Sequence, residues 1–138
     1  MTTNVAGSCL CGGVAFEVEL PFRRANHCHC SRCRKHSGGP GLVQGRVARE
    51  RFRLLRGAEL VRSFHPPGGR AKAFCSVCGS SLFGGDWPGG DEVSVRFGAL
   101  DGDPGIRPEY HAHVASAAAW DVLPEDGLPR YAEGKPGE

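Results

Sequence analysis

Seven cysteines fall in three tight groups, and their types and spacing suit soft-metal chemistry. Cys9-Leu10-Cys11 is a C-x-C, Cys28-His29-Cys30-Ser31-Arg32-Cys33 a C-x-C-x-x-C, and Cys75-Ser76-Val77-Cys78 a C-x-x-C. An odd count leaves one thiol over in any disulfide scheme. A C-x-C in an extended strand also puts its two side chains on one face but too far apart to bridge. Isolated core cysteines would not cluster three times within two or three residues. Paired thiolates drawn from three segments match a tetrahedral metal such as zinc.

Seven ligands divide as four plus three. Cys11 is followed by Gly12-Gly13 and Cys78 by Gly79. A glycine after the second cysteine lets the backbone turn tightly and aim N–H groups at the sulfurs. Two such knuckles, Cys9/Cys11 and Cys75/Cys78, close a four-cysteine zinc site, which is saturated and therefore structural. Cys28, Cys30 and Cys33 remain, with no glycine after them. Three thiolates and a free fourth position form the arrangement of a catalytic zinc. A closed site with His27, His29 or His36 as fourth ligand and an iron–sulfur cluster are the alternatives. In an extended segment His29 points away from its neighbours Cys28 and Cys30.

Three thiolates on Zn²⁺ leave a net charge of −1 and a weak Lewis acid, so water activation is not its natural task. Such a site would accept a further thiolate, lowering a substrate thiol's pKa and orienting it. Proton transfer needs a base, for which His29, His36, His111 and His113 are the candidates. Arg32, Arg34 and Lys35 could pair with substrate carboxylates.

The elements that must position these groups read as strands. Val14 to Leu20 and Glu92–Phe97 alternate, and Leu42–Val47 reads as a further strand. Leu60–Phe64, Lys72–Cys75, Ser81–Gly84 and Tyr110–Val114 add short strands, the last with His111 and His113 on one face. Ser31–His36 forms one helical turn capped by Ser31. Ala115–Trp120 reads as a short helix. The basic run Arg49–Gly57 reads as a solvated strand with Phe52 and Leu54 inward. The expected fold is mainly β, one antiparallel domain whose strands converge on two metal sites.

Composition sets the outer limits. The chain has 138 residues, a formal net charge of +2, 21 glycines and 10 prolines. That length fits one domain rich in short turns. A charge of +2 is no basis for a nucleic-acid partner. No apolar run approaches the roughly 20 residues that cross a bilayer. Met1 to Ala6 shows neither a basic nor an apolar signal region, so a cytoplasmic location is expected.

Gly7-Ser8-Cys9-Leu10-Cys11-Gly12, Cys28 to Lys35 and Phe74 to Gly79 together resemble the glutathione-dependent formaldehyde-activating enzyme family, which includes centromere protein V. The resemblance extends through Phe97 to Asp101, Arg107-Pro108, His111 to Val114 and Trp120, with Leu10 standing where many members carry histidine. It implies one zinc-binding domain over residues 5–125, with a loosely packed tail over 126–138. It implies a fold of small antiparallel sheets around two zinc sites, often called a β-tent. It implies a structural zinc on Cys9, Cys11, Cys75 and Cys78 and a catalytic zinc on Cys28, Cys30 and Cys33; of the candidate bases, His29 sits inside the motif and is taken as the catalytic one. The implied reaction is carbon–sulfur lyase chemistry joining glutathione, or a related small thiol, to formaldehyde as S-hydroxymethylglutathione. A non-catalytic zinc module that binds protein or nucleic acid, and a thiol or metal sensor, are the competing functions.

Overall fold

The computed structural model describes residues 3–138; Met1 and Thr2, part of the stretch read for a secretory signal, lie outside the described residues. Ten strands form two sheets. β1 (Asn4–Ser8), β2 (Ala15–Glu19) and β5 (Phe52–Arg56) make a three-stranded antiparallel sheet in the order β1-β2-β5. The remaining strands are β3 (Arg24–Cys28), β4 (Leu42–Ala48), β6 (Val61–Phe64), β7 (Ala71–Cys75), β8 (Ser81–Gly85), β9 (Glu92–Arg96) and β10 (His111–Ala112). They make a seven-stranded sheet in the order β10-β3-β4-β9-β8-β7-β6. One α-helix, α1 (Ser31–Ser37), follows β3. The mainly β expectation holds, although β10 joins β3 in parallel.

The two sheets bury an aromatic wedge between them. Phe16 and Phe52 of the small sheet meet Phe83 of the large one at centroid distances of 5.9 and 4.8 Å, and Trp87 stacks edge-on against Phe83 at 4.9 Å. Val14, Val18, Val47, Leu82, Val93 and Val95 complete a core that also takes in Cys9 and Cys75.

The large sheet has two working faces. β9 reads as an alternating strand, and Val93, Ser94, Val95 and Arg96 are all buried. Val93 and Val95 join the core, whereas Ser94 and Arg96 form part of the floor of a cleft. The same period of two sends Arg24, Asn26 and Cys28 of β3, and Gln44 and Arg46 of β4, into that cleft. The registers align them across strands, Asn26 opposite Gln44 opposite Arg96, and Arg24 opposite Arg46 opposite Ser94.

Three expectations near the end of the chain are corrected. The strand expected over Tyr110–Val114 stops at Ala112, because His113 takes a left-handed backbone (φ 57°) and turns away from the face of His111. The helix expected over Ala115–Trp120 reduces to a 3₁₀ turn at Val114–Ser116. A short alanine-rich run lacks the length to nucleate a helix alone, and its amides go elsewhere. Val114 and Ala115 N–H groups donate to Tyr131 and Ala132 carbonyls at 3.0 and 3.1 Å. The tail expected to pack loosely is largely exposed, but it is laced to β10. The His111 N–H donates to the Pro129 carbonyl, the Tyr131 N–H to the His111 carbonyl, and the His113 N–H to the Glu133 carbonyl, each at 2.9 Å.

Candidate metal centres and the basic cleft

Cys9, Cys11, Cys75 and Cys78 come together, as do Cys28, Cys30 and Cys33; within each group all sulfurs lie within 4.8 Å of one another. A tetrahedral zinc with Zn–S bonds of about 2.3 Å spaces its sulfurs by about 3.8 Å. Cys9 and Cys11 sulfurs are 3.5 Å apart, Cys11 and Cys75 3.9 Å, and Cys28 and Cys33 3.4 Å. Both donor sets fit the ion.

The four-cysteine group is built from two matching turns. Gly12 and Gly79 both adopt left-handed φ, 78° and 77°, and close tight turns onto the carbonyls of Cys9 and Cys75. The Val14 N–H donates to Cys9 Sγ at 3.2 Å. The Leu10 N–H donates to Ser80 Oγ at 2.9 Å and clips one knuckle to the other. Hydrogen bonding from the Ser80 hydroxyl, then from backbone N–H groups, pulls the Cys78 thiol down to about 5. Leu10 projects into solvent and touches no ligand.

The three-cysteine group sits where β3 runs into α1. Cys30, not Ser31 as the sequence suggests, is the helix cap: its Sγ accepts the Cys33 N–H at 3.3 Å. The geometry favours the larger, more polarizable acceptor because Cys30 holds the extended backbone a cap requires. Hydrogen bonds from Cys28 and Cys33, with the Cys33 N–H and the Lys72 charge behind them, hold the Cys30 thiol far below its ordinary value. Lys72 Nζ lies 3.5 Å from Cys33 Sγ. Among the described residues no histidine or carboxylate joins this cluster.

The three sulfurs open into a cleft of about 540 Å³. Arg24, Arg32, Arg46, Arg70, Lys72 and Arg96 line it. Arg96 is 4% exposed and donates to Gln44 Oε1 at 3.0 Å and Ser94 Oγ at 2.8 Å. Burial lowers its guanidinium to about 10, still charged at neutral pH. Of the basic residues flagged in the motif, Arg32 reaches the cleft; Arg34 and Lys35 are not part of its wall. Lys72, Arg24, Arg46 and Arg96 carry no motif. Their only sequence signal is position, since Arg24 and Asn26 share the strand face of Cys28.

The histidines separate. Among the described residues, His113 is the one histidine that lines the cleft with the thiols. His29 lines a different groove together with His27, as the alternation of an extended segment dictates. There His29 Nε2 meets His111 Nδ1 at 2.9 Å, and His111 Nε2 meets Asp126 Oδ2 at 2.8 Å. His27 stacks on His111 at 4.4 Å. The catalytic placement of His29 beside the three thiols is thus corrected: its ring ties the motif loop to the tail. His36 is likewise engaged elsewhere, 2.9 Å from Ser81 Oγ.

Comparison with known proteins agrees with this anatomy. Residues 4–116 match the family model described as glutathione-dependent formaldehyde-activating enzyme. A Halomonas elongata protein named "Putative glutathione-dependent formaldehyde-activating enzyme" is 32% identical over 143 residues, covering 96% of this chain and 88% of its own length. A crystal structure of a Rhodobacter sphaeroides protein superposes with a TM-score of 0.59 at 25% identity, over 91% of this chain and 98% of that one. No helix among the described residues is long and apolar enough to cross a membrane.

Proposed function

Because the chain belongs to the glutathione-dependent formaldehyde-activating enzyme family, we propose that it is a zinc-dependent carbon–sulfur lyase acting on a thiol–aldehyde adduct, with glutathione and formaldehyde as the reference pair. The observation that carries this is the three-cysteine cluster, which gathers no fourth protein ligand among the described residues and opens into a basic cleft. In this reading Cys9, Cys11, Cys75 and Cys78 hold a structural zinc, and Cys28, Cys30 and Cys33 a catalytic one. The catalytic ion would supply an electrophilic fourth position that acidifies and orients the substrate thiol.

The chain's own residues do the rest. Lys72 offsets the surplus negative charge of three thiolates. Arg96, fixed by Gln44 and Ser94, gives the cleft floor a permanent positive charge that draws an anionic thiol inward. His113, at the cleft wall, accepts the thiol proton and returns it to the oxygen of the aldehyde. A C–S bond forms, the carbonyl π pair becomes the hydroxyl oxygen's lone pair, and the proton ends on that oxygen; cleavage is the reverse. Seven unpaired thiols suit a reducing compartment, so we place the protein in the cytoplasm.

Two-dimensional NMR exchange between glutathione and its formaldehyde adduct tests the reading against an enzyme-free blank. Zinc-loaded protein should accelerate exchange, and Cys30→Ser should abolish the gain. Exchange equal to the blank would remove this substrate pair.

A further inference from the structure

One carboxylate lies on the wall of the cleft among the described residues: that of Glu138. Its Oε1 is 3.1 Å from Arg24 Nε, and its Oε2 accepts the Tyr110 hydroxyl. The segment leading to it is anchored. Tyr131 packs edge-on to Tyr110 at 5.7 Å, and Lys135 Nζ lies 5.0 Å over the Tyr110 ring. The carboxylate therefore rests in a prepared site, with a guanidinium on one side and a phenol donor on the other.

The surrounding charge favours an anion there even without Glu138. Arg23, Arg24 and Arg46 converge on one carboxylate, Glu92, at 3.0, 2.9 and 3.9 Å. Three guanidiniums on one carboxylate leave two positive charges unmatched. Glu92 is held below its ordinary value by Arg24 and Arg23 despite burial, so it stays ionised and cannot rotate away as a neutral acid. The same wall continues to Cys28 along β3, because Arg24, Asn26 and Cys28 share a face and rise about 3.3 Å per residue. Arg24 and Cys28 are thus about 13 Å apart along the strand. That span suits a tripeptide-sized thiol with its sulfur at the cysteines and a carboxylate at Arg24.

Resting on the lyase reading above, we propose that Arg24 and the Tyr110 hydroxyl form the carboxylate subsite for the substrate, and that the Glu138 side chain occupies it as a built-in competitor. The tail must yield its carboxylate before an anionic thiol can seat fully, so apparent affinity is reduced by the fraction of molecules with Glu138 docked.

Ophthalmate, the glutathione analogue with a methyl group in place of the thiol, probes the subsite without any bond to metal. Calorimetric titration of zinc-loaded protein should show Glu138→Ala binding ophthalmate about three- to tenfold more tightly than the parent chain. Glu125→Ala removes the same charge from the exposed chain outside the cleft and should leave affinity unchanged. Tyr110→Phe, which keeps the packing and removes one donor, should weaken binding in the Glu138→Ala background. Arg24→Met should abolish binding there, with folding checked by thermal melting. Equal affinity for the parent and Glu138→Ala, or equal gains for Glu138→Ala and Glu125→Ala, overturns the competitor. Tyr110→Phe binding as well as its parent overturns the subsite. Tightened ophthalmate binding without thiol–formaldehyde exchange would keep the subsite and sink the lyase reading; exchange with no tightening does the opposite.

Discussion

Lys72 Nζ lies 3.5 Å from Cys33 Sγ, and the two residues are only 9% and 3% exposed. The same strand, β7, carries Cys75 of the other cluster three residues later. One strand therefore delivers a thiol to one cysteine cluster and a compensating charge to the other. Replacing the ammonium by an apolar side chain of similar length leaves three thiolates without their nearest cation. Lys72→Met should weaken zinc binding at the three-cysteine site by about 10- to 100-fold, as outer partners of metal ligands commonly do. Competition against a chromogenic chelator measures this; unchanged affinity would mean that Lys72 is there for packing alone.

The two clusters should answer differently to mutation. Cys75 is fully buried within the aromatic core, and its site ties β1 to β7. Structural zinc binding contributes on the order of 10 kcal/mol in small zinc domains, comparable with the whole stability of a domain this size. Cys75→Ser should fail to accumulate as folded protein or lose its cooperative melt. Cys30→Ser changes a half-exposed cap and should shift Tm by no more than about 4 °C, roughly a 1 kcal/mol effect. Equal losses of stability in the two variants would contradict the division of labour.

Much of this was legible in the residues. Cysteine spacing and trailing glycines pointed to the two clusters that the fold assembles, because each knuckle is a local turn. Alternation located Val14–Leu20 and Glu92–Phe97, because a period of two shows in the primary structure. What stayed hidden was long-range. Alternation did not say where Ser94 and Arg96 point, since no local pattern distinguishes solvent from a polar cleft. The ends of the chain misled for a similar reason: His113 and the alanine run answer to tail carbonyls some twenty residues away. Glu138 and Lys72 reach the cleft by tertiary folding alone.

His113 is the histidine that lines the cleft with the three thiols. Loss of a positioned acid–base group costs about 10²- to 10⁴-fold in rate. Asparagine tolerates the left-handed backbone at this position better than most residues, which makes His113→Asn the informative variant. It should lower thiol–formaldehyde exchange by at least about 10²-fold while both zinc ions stay bound. His29→Asn, whose side chain faces the other groove, should cost far less, and the reverse ranking would return the proton-transfer role to the motif histidine.

Acid sensitivity should have an identifiable contributor in His36. Burial, reinforced by the charges of Arg96 and Lys72, pushes its imidazole down to about 4, against about 6.5 in an unfolded chain. Between those values the unfolded chain binds a proton that the folded protein resists. Stability is therefore complete above pH 6.5 and is lost as pH falls toward 4. His36→Gln keeps a partner for Ser81 but does not titrate. At fixed zinc load the parent's Tm should fall more steeply than the variant's across this window; parallel curves would show that His36 is not a source of the loss.

Gly41 supplies the last test, because it fixes the loop that carries the three thiols. A Cβ at this position would stand 2.3 Å from the Cys28 carbonyl oxygen and 3.2 Å from its carbon. Backbone blocks it there, so no side-chain rotation can relieve the clash. β4 begins at the next residue and pairs Leu42 with Cys28, so the strand pair must open by an ångström or more to admit a methyl group. The opening falls at the end of β3, where Cys28 and Cys30 take their positions, and the added methyl group meets no residue of the four-cysteine cluster first. Gly41→Ala should thus retain one zinc per chain and lose the second, with exchange activity falling in step. Metal analysis after dialysis against a weak chelator reads the stoichiometry directly. Two retained ions would show that the loop can shift without disturbing its thiols. Loss of both would show that the clash spreads through the sheet instead of staying at the three-cysteine site.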